Sequence, residues 1–498
     1  MPLRLPFETL SVPARQSRAR VTEATLARHG SALLLLPVGC AAPLLRELPH
    51  GERLHRLISE RLKKPGDSLE ARVGARAETA LLIVAVAPQA STFQHLKAAG
   101  SWARRLLAGE PESLLVFAHG LDIEVRDAAL LAVVAAVQAA AFRLPDFKSK
   151  PAPRRPLGRI DIAAEGRLAQ LDTALASSAG NNLARWLTAL PPNLLDARGY
   201  RRLVQSLATR LGLSYRFYGE AQLKRLGAGA FLAVSQGNAT RDAGIAHLKY
   251  RPKGGSGAPL ALVGKGICFD TGGTNLKPHK SMLDMHTDMA GSAVVLGTLY
   301  ALSLSASRQP VDAWLAITEN RIGPTAYQPQ DVVYAMNGTS IQVIHTDAEG
   351  RMVLADTLCL AAAAKPKAMI DYATLTGAAV YALTERYSAA FTNRPAARAS
   401  IEAAGVASGE RVWCFPMDED FDSDIDSTVA DVMQCAADGK GDHILAARFL
   451  NRFVPQSIPW LHLDLAAGMR GGGLAHVGTD ITGFGVRYTL ALLQGGWP

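Results

Sequence analysis

The sequence predicts a two-domain α/β protein, with a smaller N-terminal α/β domain and a C-terminal domain built on a mainly parallel, mixed sheet flanked by helices. Three observations predict it. The chain has 498 residues, too many for one compact core. Apolar runs of strand length alternate with helical stretches from residue 245 onward, the pattern of a parallel sheet covered on both faces. A proline-rich, basic stretch, KSKPAPRRPLGR at 148–159, separates this region from an earlier set of apolar runs. The expected division is an N-terminal domain at 1–155, a linker and bridging helix at 156–190, and a C-terminal domain at 191–498.

In the first domain SALLLLPVG (31–39), ETALLIVAVAP (78–88) and SLLVFAHG (113–120) are apolar runs closed by turn residues, as buried strands are. TFQHLKAAGSWARRLLAG (92–109) and the Ala-rich run 128–142 read as helices. The latter is too short to span a bilayer and is interrupted by Gln138. The stretch 165–193 predicts a long helix stopped by Pro191 and Pro192. A helix at 200–212 and a strand at 213–219 follow. AQLKRLGAGAFLAVSQGN reads as a helix, a glycine break and a strand. Further strands are expected at 245–251, 259–264, 311–319, 340–346, 368–372 and 460–464. Helices are expected at 290–305, 352–364, 397–405 and 442–453.

Composition excludes several classes. Apolar residues make up 48 % and charged residues 19 %, which is globular rather than disordered. Five widely spaced cysteines without a CxxC argue against a disulfide framework and a thiolate zinc site. The first twenty residues lack the apolar core of a secretory signal, so a cytoplasmic protein without a membrane segment is expected. The net charge of +9 and the basic stretch permit nucleic-acid binding, yet no aromatic interleaving or known motif accompanies them.

The chemistry gathers in two stretches, ALVGKGICFDTGGTNLKPHKSMLDMHTD (261–288) and IQVIHTDAEGR (341–351). They carry Asp270, Asp288, Asp347 and Glu349 among glycines, with Lys265, Lys277 and Arg351. Acids on short loops after apolar strands converge where open α/β sheets bind ligands. Four converging carboxylates repel and call for counter-charge, which a pair of divalent ions provides. Such a donor set suits Mg²⁺, Mn²⁺ or Zn²⁺. Two ions would clamp and activate a hydrolytic water. From the residues alone Lys265 reads as a structural or substrate-binding cation.

VGKGICFDTGG and TDAEGR, followed by DYATLTGA (371–378) and WLHLDLA (460–466), resemble the signatures of the cytosolic leucyl aminopeptidases, the M17 metallopeptidases. The resemblance runs from about residue 180 to the C-terminus and is weaker before 150. It implies an aminopeptidase that removes Leu-like N-terminal residues from peptides with two metal ions per subunit, Zn or Mn, with Mg as a third option. It implies that Asp270 and Glu349 bridge the ions, that Asp347 completes one site and that Lys265 and Asp288 complete the other. As a ligand Lys265 must be neutral, which adjacent dications favour. Lys277 would steady the oxyanion formed at the scissile carbonyl. Arg351 would hold a bicarbonate acting as general base, and the loop around Leu375 would help to bind that anion. Met285, Thr374, Gly377, Ala466 and Met469 match positions lining the first side-chain pocket. The resemblance further implies a homohexamer, for which 413–417 and 444–454 offer apolar surface or ordinary core. Some relatives also bind DNA, which keeps a DNA-binding regulatory protein with a peptidase fold as the alternative. Three positions depart from the family pattern: His345 where Asn is usual, and Ala290 and Gln330 where Gly is usual.

Overall fold

The computed structural model describes residues 4–40, 42–74 and 78–497. The chain divides into two compact units. The smaller comprises Glu8–Ala179 and Gly472–Asp480, and the larger is built on Gly180–Gly471 together with the two ends of the chain. The division falls inside the helix Leu171–Thr188, in the stretch 156–190 read from the sequence as linker and bridging helix.

The smaller unit holds a six-stranded sheet. Its strands are β1 (Ala14–Ser17), β2 (Ser31–Pro37), β3 (Ser68–Val73), β4 (Thr79–Val86), β5 (Ser113–Ala118) and β6 (Arg159–Ala163), in the order β1-β6-β5-β2-β4-β3. All neighbours run parallel except β3 and β4. Strand β2 shows why its apolar run is unbroken. Leu33 and Leu35 enter one core and Ala32, Leu34 and Leu36 the other, so period-two alternation buries both faces. The helices Thr92–Leu107 and Ile123–Ala141 cover one of these faces. The basic stretch 148–159 is not the link between units. It is irregular, as its prolines require, but it leads into β6, which pairs with β1 and β5 inside the first sheet.

The larger unit holds an eight-stranded mixed sheet. Its strands are β7 (Ser214–Gly219), β8 (Gly244–Tyr250), β9 (Leu260–Asp270) and β10 (Val311–Asn320), then β13 (Ala368–Ala373), β14 (Ser388–Thr392), β15 (Val412–Cys414) and β17 (Trp460–Asp464), in the order β15-β14-β17-β13-β9-β10-β8-β7. The central strands β17, β13, β9 and β10 are parallel, whereas β7, β8 and β14 pair antiparallel. A separate small sheet joins β11 (Val332–Tyr334), β12 (Ser340–Gln342) and β16 (Val432–Met433). The stretch expected as a strand at 340–346 therefore ends early and lies outside the main sheet. GAFLAVS, expected as a strand, is the helix Gly229–Ser235, because Phe231 and Val234 bury one helical face in the main core.

The helices Ala290–Leu304 and Glu349–Ala363 are apolar on nearly every side and fill the interior against β9. Residues 444–454 are also largely core: Leu445, Phe449, Leu450, Phe453 and Val454 pack inside this unit. Trp413 is half exposed.

Candidate functional site

Strand β9 carries the first two site residues, Lys265 and Asp270. Their spacing is five, and in a regular strand odd spacings point to opposite faces. The register resolves this. Ile267 pairs with Thr318 and Asp270 with Asn320, so β9 advances three residues while β10 advances two. This bulge reverses the alternation and turns Asp270 into the cleft that Lys265 also lines.

Asp270 is then held by donors. Its Oδ1 accepts from Gly272 N (2.8 Å) and Asn320 Nδ2 (2.8 Å). The loop after β9 is tied to the stretch before Asp347 through Thr346. Thr346 N donates to Asn275 Oδ1 (2.9 Å), Asn275 N to Thr346 Oγ1 (2.8 Å), and Thr346 Oγ1 to Gly272 O (2.6 Å). Asp347 follows at once, and Glu349 and Arg351 occupy the first turn of the helix Glu349–Ala363. Asp288 lies between the short 3-10 turn Met285–Thr287 and the helix Ala290–Leu304. Only Asp270 stands at a strand end. The other three acids are placed by helix starts, where unpaired N–H groups favour negative charge.

The acids converge. One oxygen from each of Asp270, Asp347 and Glu349 lies within 4.8 Å of the others. Lys265 Nζ lies 2.8 Å from both Asp288 Oδ1 and Glu349 Oε1 and donates to Thr374 O (2.9 Å). Lys277 Nζ lies 2.9 Å from Asp270 Oδ2 and 2.6 Å from Asp347 Oδ1. Burial disfavours the ammonium of Lys265, but Asp288, Glu349 and Asp270 outweigh it, so the pKa is raised. Lys277 is raised through the same balance. Burial, with repulsion from Asp270 and Glu349, pushes Asp347 up to about 7. Asp288 is raised well above the ordinary range, chiefly by burial.

A divalent cation fits this donor set. Asp288 Oδ2 and Glu349 Oε2 are buried without a hydrogen-bond partner among the described residues, a costly state for carboxylate oxygens that a cation relieves. Gly350 keeps room for Lys265: a Cβ there would stand 2.7 Å from both Cε and Nζ of that lysine.

Every expected site residue lines one cleft of about 740 Å³: Lys265, Asp270, Lys277, Asp288, Asp347, Glu349 and Arg351, with Met285, Thr374, Leu375, Gly377, Ala466 and Met469. Residues passed over in the sequence hold them in place. Asp464 accepts from Leu375 N (3.0 Å), Thr376 N (3.1 Å) and Thr376 Oγ1 (2.6 Å), which shapes the 374–376 turn. Thr374 Oγ1 in turn donates to Asp288 Oδ1 (2.7 Å). Asp464 sits inside the WLHLDLA motif, a signal that could have found it. Gln434 Oε1 accepts from Ile344 N and His345 N (3.1 Å each), and its Nε2 donates to Ala348 O (3.0 Å).

Two departures from the family pattern find local accounts. His345 Nδ1 accepts from Asp347 N (3.3 Å), the turn bond an Asn side chain makes to the residue two ahead. Burial and Lys277 lower the pKa of His345. Gln330 has φ +79°, the left-handed backbone for which glycine is the ordinary choice, and its side chain accepts from Gln342 Nε2 (2.7 Å). Nothing in the structure explains Ala290.

Arg351 has an acidic partner within the chain. It is 1 % exposed, and its Nη2 lies 2.7 and 2.8 Å from the two carboxylate oxygens of Asp442, while Nη1 donates to Gln434 O (3.2 Å). A guanidinium binds a planar oxyanion through two adjacent nitrogens, and both such edges include Nη2. Asp442 thus holds the nitrogen common to both edges, while Nε is buried without a hydrogen-bond partner among the described residues.

The fold and this cluster define a class, an α/β protein with a candidate divalent-metal centre at the mouth of its central parallel strands. A family model described as the cytosol aminopeptidase family, catalytic domain, matches residues 182–490, and the chain belongs to that family. It is 43 % identical over 329 residues to a probable cytosol aminopeptidase of Methylorubrum populi, covering 65 % of each chain. The chain thus spans just under two thirds of that relative's length. It is 36 % identical over 422 residues to a probable cytosol aminopeptidase of Rhodopseudomonas palustris, covering 82 % of each. Among solved structures, the bottromycin maturation enzyme BotP in complex with Mn matches with a TM-score of 0.80 and 30 % identity, over 93 % of this chain and 99 % of that one.

Proposed function

We propose that this protein is a metal-dependent aminopeptidase that hydrolyses the N-terminal peptide bond of peptides, with Leu-like N-terminal residues preferred. The observation that carries this reading is the convergence of Lys265, Asp270, Lys277, Asp288, Asp347 and Glu349 in one cleft of a chain of this family. Asp270, Asp347 and Glu349 would hold one ion, and Lys265 and Asp288 would complete a second site with Asp270 and Glu349. Zn, Mn and Mg all suit the donors, and the manganese complex of BotP makes Mn the first to try. When bound, such ions supply Lewis-acid polarisation of the scissile carbonyl and of the attacking water.

The chain's own residues supply the rest. Asp288, oriented by the Thr374 hydroxyl, offers a carboxylate to a substrate's free α-ammonium. That contact selects N-termini over internal bonds. Lys277 keeps a fixed positive charge on the cleft wall, where a developing oxyanion needs it. Met285, Leu375, Gly377, Ala466 and Met469 give an apolar, adaptable wall for a Leu-like side chain. A cytoplasmic homohexamer belongs to the same reading.

The test is release of Leu from an aminoacyl reporter by protein loaded with Mn, Zn or Mg, abolished by a chelator. A protein that loads ions yet cleaves no Leu, Met, Ala or Arg reporter would overturn the reading. Sedimentation of a stable, active monomer would remove the hexamer.

A further inference from the structure

We propose that Asp442 supplies, from within the chain, the oxyanion that Arg351 holds at the cleft, so that no free bicarbonate or similar small anion binds there. The geometry carries the argument. Arg351 lies two residues beyond Glu349 in the same helical turn, and its guanidinium is enclosed. The two nitrogen pairs it can offer to a planar anion share Nη2, and both Asp442 oxygens are within 2.8 Å of that atom. Gln434 O takes a bond from Nη1.

Asp442 is fitted to stay there. It is the first residue of the helix Asp442–Asn451, where backbone N–H groups favour a carboxylate. Its side chain is 25 % exposed while Arg351 is 1 % exposed, and both line the cleft. The acid thus forms the solvent-facing half of the pair, on the side from which a free anion would arrive. Such an anion would have to sit against Asp442 with one guanidinium between them. Burial opposes the charge of Arg351, but Asp442, Cys435 and Glu349 together offset this and the pKa is raised. A carboxylate and a bicarbonate present the same planar O–C–O group, so the substitution keeps the chemistry and removes the dependence on a dissolved species.

This inference concerns the cleft of the proposed aminopeptidase and rests on that reading only for its kinetic arm. Full-length protein loaded with Mn²⁺ is freed of carbon dioxide and titrated with sodium bicarbonate in a calorimeter. The wild type is expected to show no saturable heat. Asp442→Ala is expected to show saturable binding, and Asp442→Ala with Arg351→Ala none. In the kinetic arm, the wild-type rate on the Leu reporter is unchanged by bicarbonate. Asp442→Ala is slower by on the order of 10²-fold without bicarbonate and recovers with it. Asp442→Asn keeps the shape and serves if the alanine variant does not fold.

Saturable binding of bicarbonate by the wild type, or a wild-type rate that rises with it, overturns the proposal. So does a folded Asp442 variant that binds none. If no reporter is cleaved, the aminopeptidase reading falls while the calorimetry still decides the role of Asp442.

Discussion

Lys265 and Glu349 meet at 2.8 Å, one from the middle of β9 and the other from the first turn of a core helix, both almost wholly buried. With Asp270, Asp288 and Asp347 beside them, four acids face two lysines, a deficit of positive charge in a half-closed cleft. Stripping divalent ions with a chelator should lower the unfolding temperature, and returning Mn²⁺ should restore it. An ion at 100 times its dissociation constant stabilises by about 2.7 kcal/mol. Differential scanning fluorimetry showing identical midpoints with and without the chelator would count against a metal centre here.

Metal assembly and turnover should separate by residue. Asp270→Ala and Glu349→Ala should lose bound metal along with activity, measured by elemental analysis beside kcat. Lys277→Ala should retain the ions yet slow turnover by on the order of 10²–10³-fold, the usual cost of removing one group that faces developing charge. If Lys277→Ala emptied the site, or Asp270→Ala kept both metal and full activity, the assignment would be wrong.

Gly350→Ala should act through Lys265. The new methyl group would stand 2.7 Å from Cε and Nζ of that lysine and 2.9 Å from a methyl of Leu375. The lysine must shift away from Asp288, Glu349 and Thr374 O. The expected result is weaker metal affinity with little change in secondary structure, read by metal titration beside circular dichroism. Unchanged affinity would show that Lys265 is free to move.

Asp464→Ala should loosen the 374–376 turn by leaving Leu375 N, Thr376 N and Thr376 Oγ1 without their acceptor. Stranding such buried donors costs roughly 1–3 kcal/mol. Because Thr374 reaches Lys265 and Asp288, KM and kcat should both worsen, and Asp464→Asn, which keeps one acceptor oxygen, should recover part of the loss. A variant with wild-type kinetics and a wild-type midpoint would refute this role.

Glu410 gives a pH signature outside the metal cluster. Its Oε2 accepts from Gly485 N (2.9 Å) and Tyr488 N (2.8 Å) at the start of the last helix, and burial pushes its pKa from 4.5 up to about 7. A raised acid pKa means that the folded chain holds a proton the unfolded chain has released between these values. Stability from this group is therefore fully present below about 4.5 and declines as pH rises to about 7, by about 3 kcal/mol at most. Glu410→Gln keeps the acceptor and never ionises, so it should flatten this slope and be the more stable protein at pH 8. Denaturant midpoints across the pH range decide it. Parallel curves for the two proteins would refute the assignment.

The alternation of apolar strands and helices and the acid-bearing stretches 261–288 and 341–351 were legible in the sequence, because period and composition are local properties, whereas the apolar walls of the cleft were legible only through the family resemblance. Locality also explains the misreadings. GAFLAVS is apolar enough for either state, and only its packing against the main core made it a helix. The basic stretch 148–159 carries every mark of a linker, yet the β6 that follows it pairs within the first sheet. Tertiary structure alone decided that Lys265 and Asp270 share a cleft, since the bulge between them exists only in the pairing of β9 with β10. It alone decided the partner of Arg351. Asp442 lies 91 positions away in a stretch with no distinguishing pattern. Local sequence sets which groups a segment can offer, whereas contacts across such distances are set by how the packed elements bring the segments together.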